Sequence, residues 1–273
     1  MMSGLKLIIG FIIILWAGFA AFLYFGQESQ LYQPRPVDPM NETQLMSTHP
    51  GLEVFLVSTP DGQALAGWFL PRKLGRGLAP AIVYFGGNAE DAADFLAQAK
   101  MFPEMSIVSV NYRGYGRSTG RPGQKALMDD ALAVYDQAVA ATGKRAVVMG
   151  RSLGSGMAVH VAANREVAGA ILVTPYDSLL EVAREHWPFM PVKWLLKDHY
   201  DVTADAARAT APLLVLTASL DGVISPERGR AVFDAWKGTD KAYTRVISAG
   251  HNDIERFTLY KDAILRFLLD ILG

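Results

Sequence analysis

Apolar residues along most of the chain fall into short, nearly unbroken runs separated by longer stretches of mixed polarity. Six of these runs are AIVYF from residue 81, IVSVN from 107, AVVMG from 146, AILVT from 170, LLVLT from 213 and TRVIS from 244. Such runs, bounded by turn residues, are typical of strands buried on both faces of a mainly parallel sheet.

The stretches between the runs place apolar residues at helical spacing. They include EDAADFLAQAKMF from residue 90, QKALMDDALAVYDQAVAATG from 124, SPERGRAVFDAWKG from 225 and DIERFTLYKDAILRFLLDIL from 253. Two earlier strand patterns, EVFLVST from 53 and ALAGWFL from 64, flank the turn pair Asp61-Gly62 and predict a hairpin. A hairpin followed by β-α repeats predicts an α/β fold with a doubly wound, mostly parallel sheet of about eight strands.

The N-terminal stretch Leu7–Phe25 contains no charged residue. As a helix it would span roughly 28 Å, close to the thickness of the hydrocarbon core of a bilayer. We therefore expect residues 1–28 to form one transmembrane anchor. The alternative is a cleaved secretory signal, with Gly18, Ala20 and Ala21 near the cleavage site.

Lys6 precedes the apolar stretch and Glu28 follows it. By the positive-inside rule, this places the rest of the chain outside the cytoplasm, which is the periplasm in a bacterium. Residues 29–50 are polar, rich in proline and without periodicity, so they are predicted to be a linker or a strap on the domain surface. The folded domain is expected over residues 51–273, with a small helical lid at about 178–210 between the sixth and seventh strands.

Composition narrows the possible partners and chemistry. The 273 residues carry a formal net charge of −1, which supplies no basic field for nucleic acid. Cysteine is absent, so disulfides, thiolate metal sites and cysteine nucleophiles are excluded. The segment GYGRSTG, from Gly114 to Gly120, departs from the dinucleotide fingerprint because its third glycine comes one residue late. We expect no cofactor and no metal, and we expect Arg113 and Arg117 to brace this loop through hydrogen bonds to backbone or carboxylate oxygens.

The stretch VVMGRSLGSG places Ser152 between two glycines, in the pattern G-x-S-x-G, after a predicted strand and before a predicted helix. This is the context of a nucleophile elbow, in which a tight turn presents the serine hydroxyl at a helix N-terminus. Gly156 and Ala158 would let the helix pack closely against the sheet. The alternative is an ordinary strand-to-helix turn whose glycines serve only packing.

A nucleophilic serine needs a base and an acid that orients the base. Of the five histidines, His251 follows the last predicted strand and is the expected base. Asp221 follows the seventh strand and is the expected acid, whereas Asp177, after the sixth strand, is the rival and could instead cap a helix. His160 is expected to be a packed or surface residue of the helix after the elbow.

The segment YFGGNAED follows the third predicted strand, where backbone N–H groups could bind a developing oxyanion. We expect the two donors to be the N–H groups of Leu153 and Asn88. Gly87 or Ala89 could take the place of Asn88.

These motifs, together with NYRGYGRSTG, TPYDSL and AGHND, resemble the α/β-hydrolase superfamily over roughly residues 50 to 273. More narrowly, they are similar to its membrane-anchored α/β-hydrolase domain-containing branch, whose relatives include lysophospholipases and protein depalmitoylases. The order Ser152, Asp221, His251 is that of the superfamily. One departure is Gly86, which stands where the branch has a histidine.

The resemblance implies a serine hydrolase that cleaves carboxylic esters or thioesters of acyl, lipid-like substrates held near the membrane. A serine peptidase with the same triad is the enzymatic alternative. A membrane-tethered binding protein without turnover is the alternative from another class. In the lid, apolar residues such as Trp187, Phe189 and Trp194 could line an acyl pocket, face the bilayer, or simply pack against the domain.

Overall fold

The computed structural model describes residues 2–35 and 39–272. Its main sheet has eight strands in the spatial order β1-β2-β4-β3-β5-β6-β7-β8. They are β1 (Glu53–Ser58), β2 (Ala64–Leu70), β3 (Ala81–Phe85), β4 (Ser106–Val110), β5 (Val147–Arg151), β6 (Gly169–Val173), β7 (Leu213–Ala218) and β8 (Lys241–Val246). A ribbon of two-residue strands, Lys73–Leu74 and Gly77–Leu78, lies between β2 and β3 in the chain.

The strand pairing is antiparallel only at one edge of the sheet. β1 pairs antiparallel with β2, and β2 pairs antiparallel with β4, whereas all other neighbours are parallel. The strand order reverses at β3, which lies between β4 and β5. In open α/β sheets the crevice at such a reversal, beyond the carboxyl ends of the strands, is where ligands bind.

Helices cover both faces of the sheet. They are α1 (Met2–Leu31), α2 (Pro39–Thr48), α3 (Gln124–Thr142), α4 (Leu153–Asn164), α5 (Leu179–His186), α6 (Val192–Leu195), α7 (Thr203–Ala206), α8 (Pro226–Ala235) and α9 (Thr258–Leu272). α3, α4 and α8 contribute to the core on one face, and α9 with the 3-10 helix Asp94–Met101 contributes to the core on the other. Alternate residues of the buried strands serve the two cores, which explains their unbroken apolar runs.

Two segments differ from the sequence prediction. The helix expected from residue 90 is a 3-10 helix, Asp94–Met101. Its buried residues Phe95, Leu96 and Ala99 satisfy either helical period, because eight residues are too few to separate 3.0 from 3.6 residues per turn.

The predicted linker 29–50 is partly helical, because α1 continues to Leu31 and α2 occupies Pro39–Thr48. This segment lies against the domain. Arg35 Nη1 is 2.9 Å from Asp94 Oδ2, and Glu42 pairs with Arg117. The remaining part of the predicted linker, residues 36–38, lies outside the described residues.

The lid region contains α5, α6 and α7 and lies against α1. Within the described residues, α1 is the one helix long and apolar enough to span a membrane, with Gly4–Leu31 as the candidate span and a mean hydropathy of 2.5 in its most apolar 18-residue window. Only 6% of its most apolar window is buried in the protein. Its length and composition also fit a signal sequence.

The arginines of the NYRGYGRSTG segment pair with carboxylates, as predicted. Arg113 is buried and donates from Nε to Asp130 Oδ2 at 2.7 Å and from Nη1 to Asp61 Oδ2 at 2.8 Å. It thereby joins helix α3 to the hairpin turn between β1 and β2, and it holds the loop after β4. Because its charge lies out of water, these carboxylates are needed to compensate it.

We expect Asp130→Ala to lower the stability of the full-length protein in detergent by about 3 kcal/mol, because Arg113 would lose its buried partner and keep only the exposed carboxylate of Asp61. This corresponds to a fall in Tm of roughly 6–12 °C for a domain of this size. Asp129→Ala is the matched control, since Asp129 forms only an exposed pair with Lys125 on the same helix. Equal Tm values for the two variants in thermal unfolding would contradict the assigned role of Arg113.

Candidate active site

Ser152 stands at the turn between β5 and α4, with φ 50° and ψ −120°. A non-glycine residue with positive φ is strained, and such residues persist only where the surrounding structure holds them. Here the N–H of Ser152 donates to the carbonyl of Val173, at the end of β6, at 2.9 Å. The turn is therefore fixed to the neighbouring strand, and the side chain is held at the carboxyl edge of the sheet.

The two glycines that flank Ser152 permit a very close approach of backbones. A Cβ atom at Gly154 would collide with the carbonyls of Phe85 and Gly86, at the end of β3. A Cβ atom at Gly150 would collide with Gly154 itself. The third glycine, Gly156, makes room for the Tyr176 hydroxyl. The G-x-S-x-G pattern thus has a steric reason at each glycine.

His251 and Asp221 lie beside Ser152 at the same edge. His251 Nε2 is 3.0 Å from Ser152 Oγ, and His251 Nδ1 is 2.7 Å from Asp221 Oδ2. A carboxylate can only accept, so it selects the tautomer with the proton on Nδ1 and leaves Nε2 free to accept the serine proton. All three side chains are nearly buried, and that of Asp221 is only 1% exposed.

Asp221 is itself held by the loop after β7. Its Oδ1 accepts hydrogen bonds from the N–H groups of Val223 and Ile224, both at 2.8 Å. These bonds leave Oδ2 directed at the imidazole. The pairing of β7 with β8, in which Ala218 lies opposite Val246, brings the loops of the acid and the histidine together.

The rival acid, Asp177, and the helical histidine, His160, are paired with side chains away from Ser152. Asp177 Oδ2 accepts from Arg228 Nη1 at 3.0 Å, and Asp177 Oδ1 accepts from the N–H of Ser178 at 2.8 Å. Burial raises the pKa of Asp177, and Arg228 acts in the opposite direction. His160 Nδ1 lies 2.7 Å from Asp205 Oδ2, in the lid.

The glycine-rich loop after β3 lies over Ser152. A Cβ atom at Gly87 would lie 3.7 Å from the Cβ of Ser152, which shows how near the loop is. Asn88 and Leu153, the two expected oxyanion donors, line the same cleft as Ser152 and His251, and so do Gly87 and Ala89. Leu153 is the first residue of α4, whose initial N–H groups have no acceptor within the helix.

Two tyrosines of the NYRGYGRSTG segment hold this loop. Tyr112 donates to the carbonyl of Gly86 at 2.6 Å, and Tyr115 donates to the carbonyl of Asn88 at 2.7 Å. The N–H of Gln33, just after α1, also donates to the Asn88 carbonyl, at 3.1 Å. The loop is therefore fixed through its carbonyl groups.

Glu90 lies beside Gly86, the position at which the branch has a histidine. A Cβ atom at Gly86 would lie 3.1 Å from both Cβ and Oε2 of Glu90, so Glu90 occupies space that a larger side chain would need. Burial raises the pKa of the Tyr84 phenol well above its usual value. The Tyr84 hydroxyl is therefore protonated and donates to Glu90 Oε2 at 2.7 Å.

Sequence reasoning missed Arg151, which precedes the serine. Arg151 pairs with Glu90 on the loop after β3, and its Nη2 donates to the His251 carbonyl at 2.9 Å and to Asn252 Oδ1 at 3.0 Å. It therefore joins the turn at Ser152 to the loops that carry the expected base and the expected oxyanion donor. The only sequence signal for this role was a charged residue at the second position of G-x-S-x-G, together with an acid in GGNAED to which no role was assigned.

A cleft of about 620 Å³ opens at this site. It is bounded by the side chains described above and by apolar residues of α1, of α5 and of the loop after β7. Within residues 2–35 and 39–272, no group of three or more histidines and acids is arranged to hold a metal ion.

The family model for the alpha/beta hydrolase fold matches residues 80–208. A protein of Mycobacterium tuberculosis that is named only as uncharacterized is 31% identical, over 96% of this chain and 94% of its own length. Alpha/beta hydrolase domain-containing protein 17B of Xenopus tropicalis is 27% identical, over 80% of this chain and 75% of that protein. The chain belongs to the α/β-hydrolase superfamily.

A solved structure shares the fold of this α/β hydrolase. An esterase of Pyrococcus furiosus superposes with a TM-score of 0.72 at 17% identity, covering 89% of this chain and 100% of that one. The α/β fold expected from the sequence, with an eight-stranded, mostly parallel sheet, is confirmed. Family and fold together make the protein a hydrolase.

We expect Arg151→Met to slow labelling of this hydrolase by a fluorophosphonate probe about tenfold to hundredfold, because small displacements of the imidazole are costly to reaction. Arg145→Met is the matched control, since Arg145 is an exposed arginine whose nearest carboxylate, Glu166, is 3.9 Å away. Labelling of Arg151→Met at the wild-type rate would show that the arginine does not position the base.

Proposed function

We propose that the protein is a serine hydrolase that cleaves carboxylic ester or thioester bonds of acyl, lipid-like substrates through an acyl-enzyme. The observation that carries the proposal is the chain of two short contacts, from Ser152 Oγ to His251 Nε2 at 3.0 Å and from His251 Nδ1 to Asp221 Oδ2 at 2.7 Å. A serine hydroxyl becomes an effective nucleophile when such a base accepts its proton.

In the first half of the reaction, His251 accepts the proton of Ser152 as Oγ attacks the substrate carbonyl. The carbonyl oxygen becomes an oxyanion, and the Asp221 carboxylate stabilises the imidazolium. His251 then protonates the departing alkoxide or thiolate, and the acyl group remains on Ser152. In the second half, His251 deprotonates a water molecule that attacks the acyl-enzyme, and Ser152 regains its proton as the acid leaves.

The proposed oxyanion donors are the N–H groups of Leu153 and Asn88. Leu153 begins α4, where the helix dipole favours negative charge. Asn88 belongs to the loop that Tyr112, Tyr115 and Gln33 hold through its carbonyl groups. Donors that are fixed before the reaction stabilise the developing charge without reorganisation, and each is typically worth about 3 kcal/mol in the transition state.

A preference for lipid-like substrates is supported by α1. We propose that it is an uncleaved anchor and that the domain lies outside the cytoplasm, as the order of Lys6 and Glu28 indicates. Tethering raises the local concentration of membrane-borne esters near the cleft.

We expect Ser152→Ala to lower kcat at least about 10⁴-fold and to abolish labelling by a fluorophosphonate, because it removes the nucleophile. Asp221→Asn is expected to lower kcat about 10³-fold to 10⁴-fold, since the amide can stabilise the wrong imidazole tautomer. Asp177→Asn tests the rival acid and should change kcat less than about tenfold. A larger loss in Asp177→Asn than in Asp221→Asn would overturn the assignment of the acid.

A substrate panel distinguishes the proposed chemistry from its alternatives. Acyl esters, acyl thioesters and peptides are compared with the full-length protein in detergent. Turnover of esters or thioesters supports the proposal, whereas turnover of peptides alone would replace it with a peptidase. A folded protein that takes no label and turns over none of them would be a binding protein.

A further inference from the structure

One face of α1 contacts the lid along much of its length. Trp16 Nε1 donates to the Phe189 carbonyl at 3.2 Å, and the Phe19 ring lies 5.2 Å from that of Trp187. Nearer the C-terminus of α1, Gln27 Nε2 donates to the carbonyl of Leu195 at 2.9 Å. The spacing of 3, 4 and 4 residues from Trp16 through Phe19 and Leu23 to Gln27 defines a single helix face.

A second cavity, of about 390 Å³, lies between this face and the lid. Leu23, Leu31, Val182, Ala183, Trp187 and Leu196 are among the apolar side chains that line it. Three polar residues, Gln27, Gln30 and His186, also border the cavity, but the other ten lining residues are apolar. Gln27 Oε1 accepts from the Lys197 N–H at 2.7 Å, and His186 Nε2 lies 2.8 Å from the Val223 carbonyl, so both side chains are engaged with backbone groups. The space is therefore suited to hydrocarbon.

The second cavity meets the catalytic cleft. Leu31, Leu179, Val182 and Val223 line both spaces, so these four side chains form the boundary between them. The catalytic cleft contains Ser152 and His251, and the second cavity extends on the other side of this boundary to Leu23, which precedes Leu31 by eight residues or about 12 Å along α1.

With α1 spanning a bilayer, the end of the second cavity beside Leu23 lies at the level of the lipid. A span needs about 20 residues, so the uncharged stretch Leu7–Phe25 accounts for one, and it includes Trp16, Phe19 and Leu23. The lid residues that contact them lie at the same depth. Among these, Phe189 is 88% exposed, and nearby Trp194 is 81% exposed, as expected of side chains that face acyl chains or lipid headgroups.

We infer that the membrane helix forms one wall of the acyl-binding site, and that the acyl chain of a bilayer-borne ester reaches Ser152 laterally between α1 and the lid. The inference rests on the proposed function and names its substrate class, which is an ester of a long acyl chain. The helix is then a part of the site as well as an anchor. Short acyl chains fill only the cleft and do not use the second cavity.

The test fills the second cavity from each side. Leu23→Trp acts from α1 and Ala183→Trp acts from the lid, in the full-length protein reconstituted in phosphatidylcholine vesicles. We expect each variant to lower kcat/KM for 4-nitrophenyl palmitate about tenfold or more, because the chain loses its pocket. Activity on 4-nitrophenyl butyrate should remain within about twofold, which also shows that the variants are folded.

Ile14→Trp is the matched control, because Ile14 is 69% exposed on the part of α1 beyond the lid, and its ratio of palmitate to butyrate activity should stay at the wild-type value. An unchanged ratio in both cavity variants overturns the inference while leaving the proposed function intact. An intact mass that lacks α1 also overturns it. A wild-type protein that cleaves neither ester and takes no fluorophosphonate label refutes the proposed function, and the inference with it.

Discussion

The close backbone approach at the turn between β5 and α4 is the constraint on which the rest of the site depends. Gly154 touches the end of β3 so closely that any side chain would collide with the carbonyls of Phe85 and Gly86. The same turn holds Ser152 at a positive φ, and the approach of the two backbones places the loop after β3 beside the serine. Ser152, the proposed nucleophile, and the expected oxyanion donors are thus brought together by this close packing of the backbone.

The elements around this contact are held by polar side chains that have no chemical role of their own in the proposed reaction. Arg151 joins Glu90 to the His251 loop, and Tyr112 and Tyr115 fix the loop after β3. Fixed groups of this kind keep reacting atoms within the small tolerances that catalysis requires. These hydrogen bonds and this ion pair fix the edge of the sheet that carries Ser152. The side of the cleft that faces the lid is formed by apolar contacts instead.

Much of the fold could be predicted from the sequence, because buried parallel strands leave unbroken apolar runs and each β-α repeat has its own signal. The proximity of Ser152, Asp221 and His251 could be expected, because all three follow strands whose carboxyl ends share one edge. The role of Arg151 could not be predicted, since its partners are 61 and 100 residues away in the chain. The lid-facing side of α1 was equally hidden, because a helix that is apolar all round carries no periodic mark of one buried face.

The two residues that follow α1 are bonded to different parts of the domain. Tyr32 donates to Asp198 Oδ2 at 2.7 Å in the lid, and the N–H of Gln33 donates to the Asn88 carbonyl at 3.1 Å. A soluble truncation that begins near Gly51 would lose both bonds together with one wall of the cavity beside the lid. Such a fragment would retain Ser152, His251 and Asp221, yet it would lack the helix that, in our inference, contacts the acyl chain.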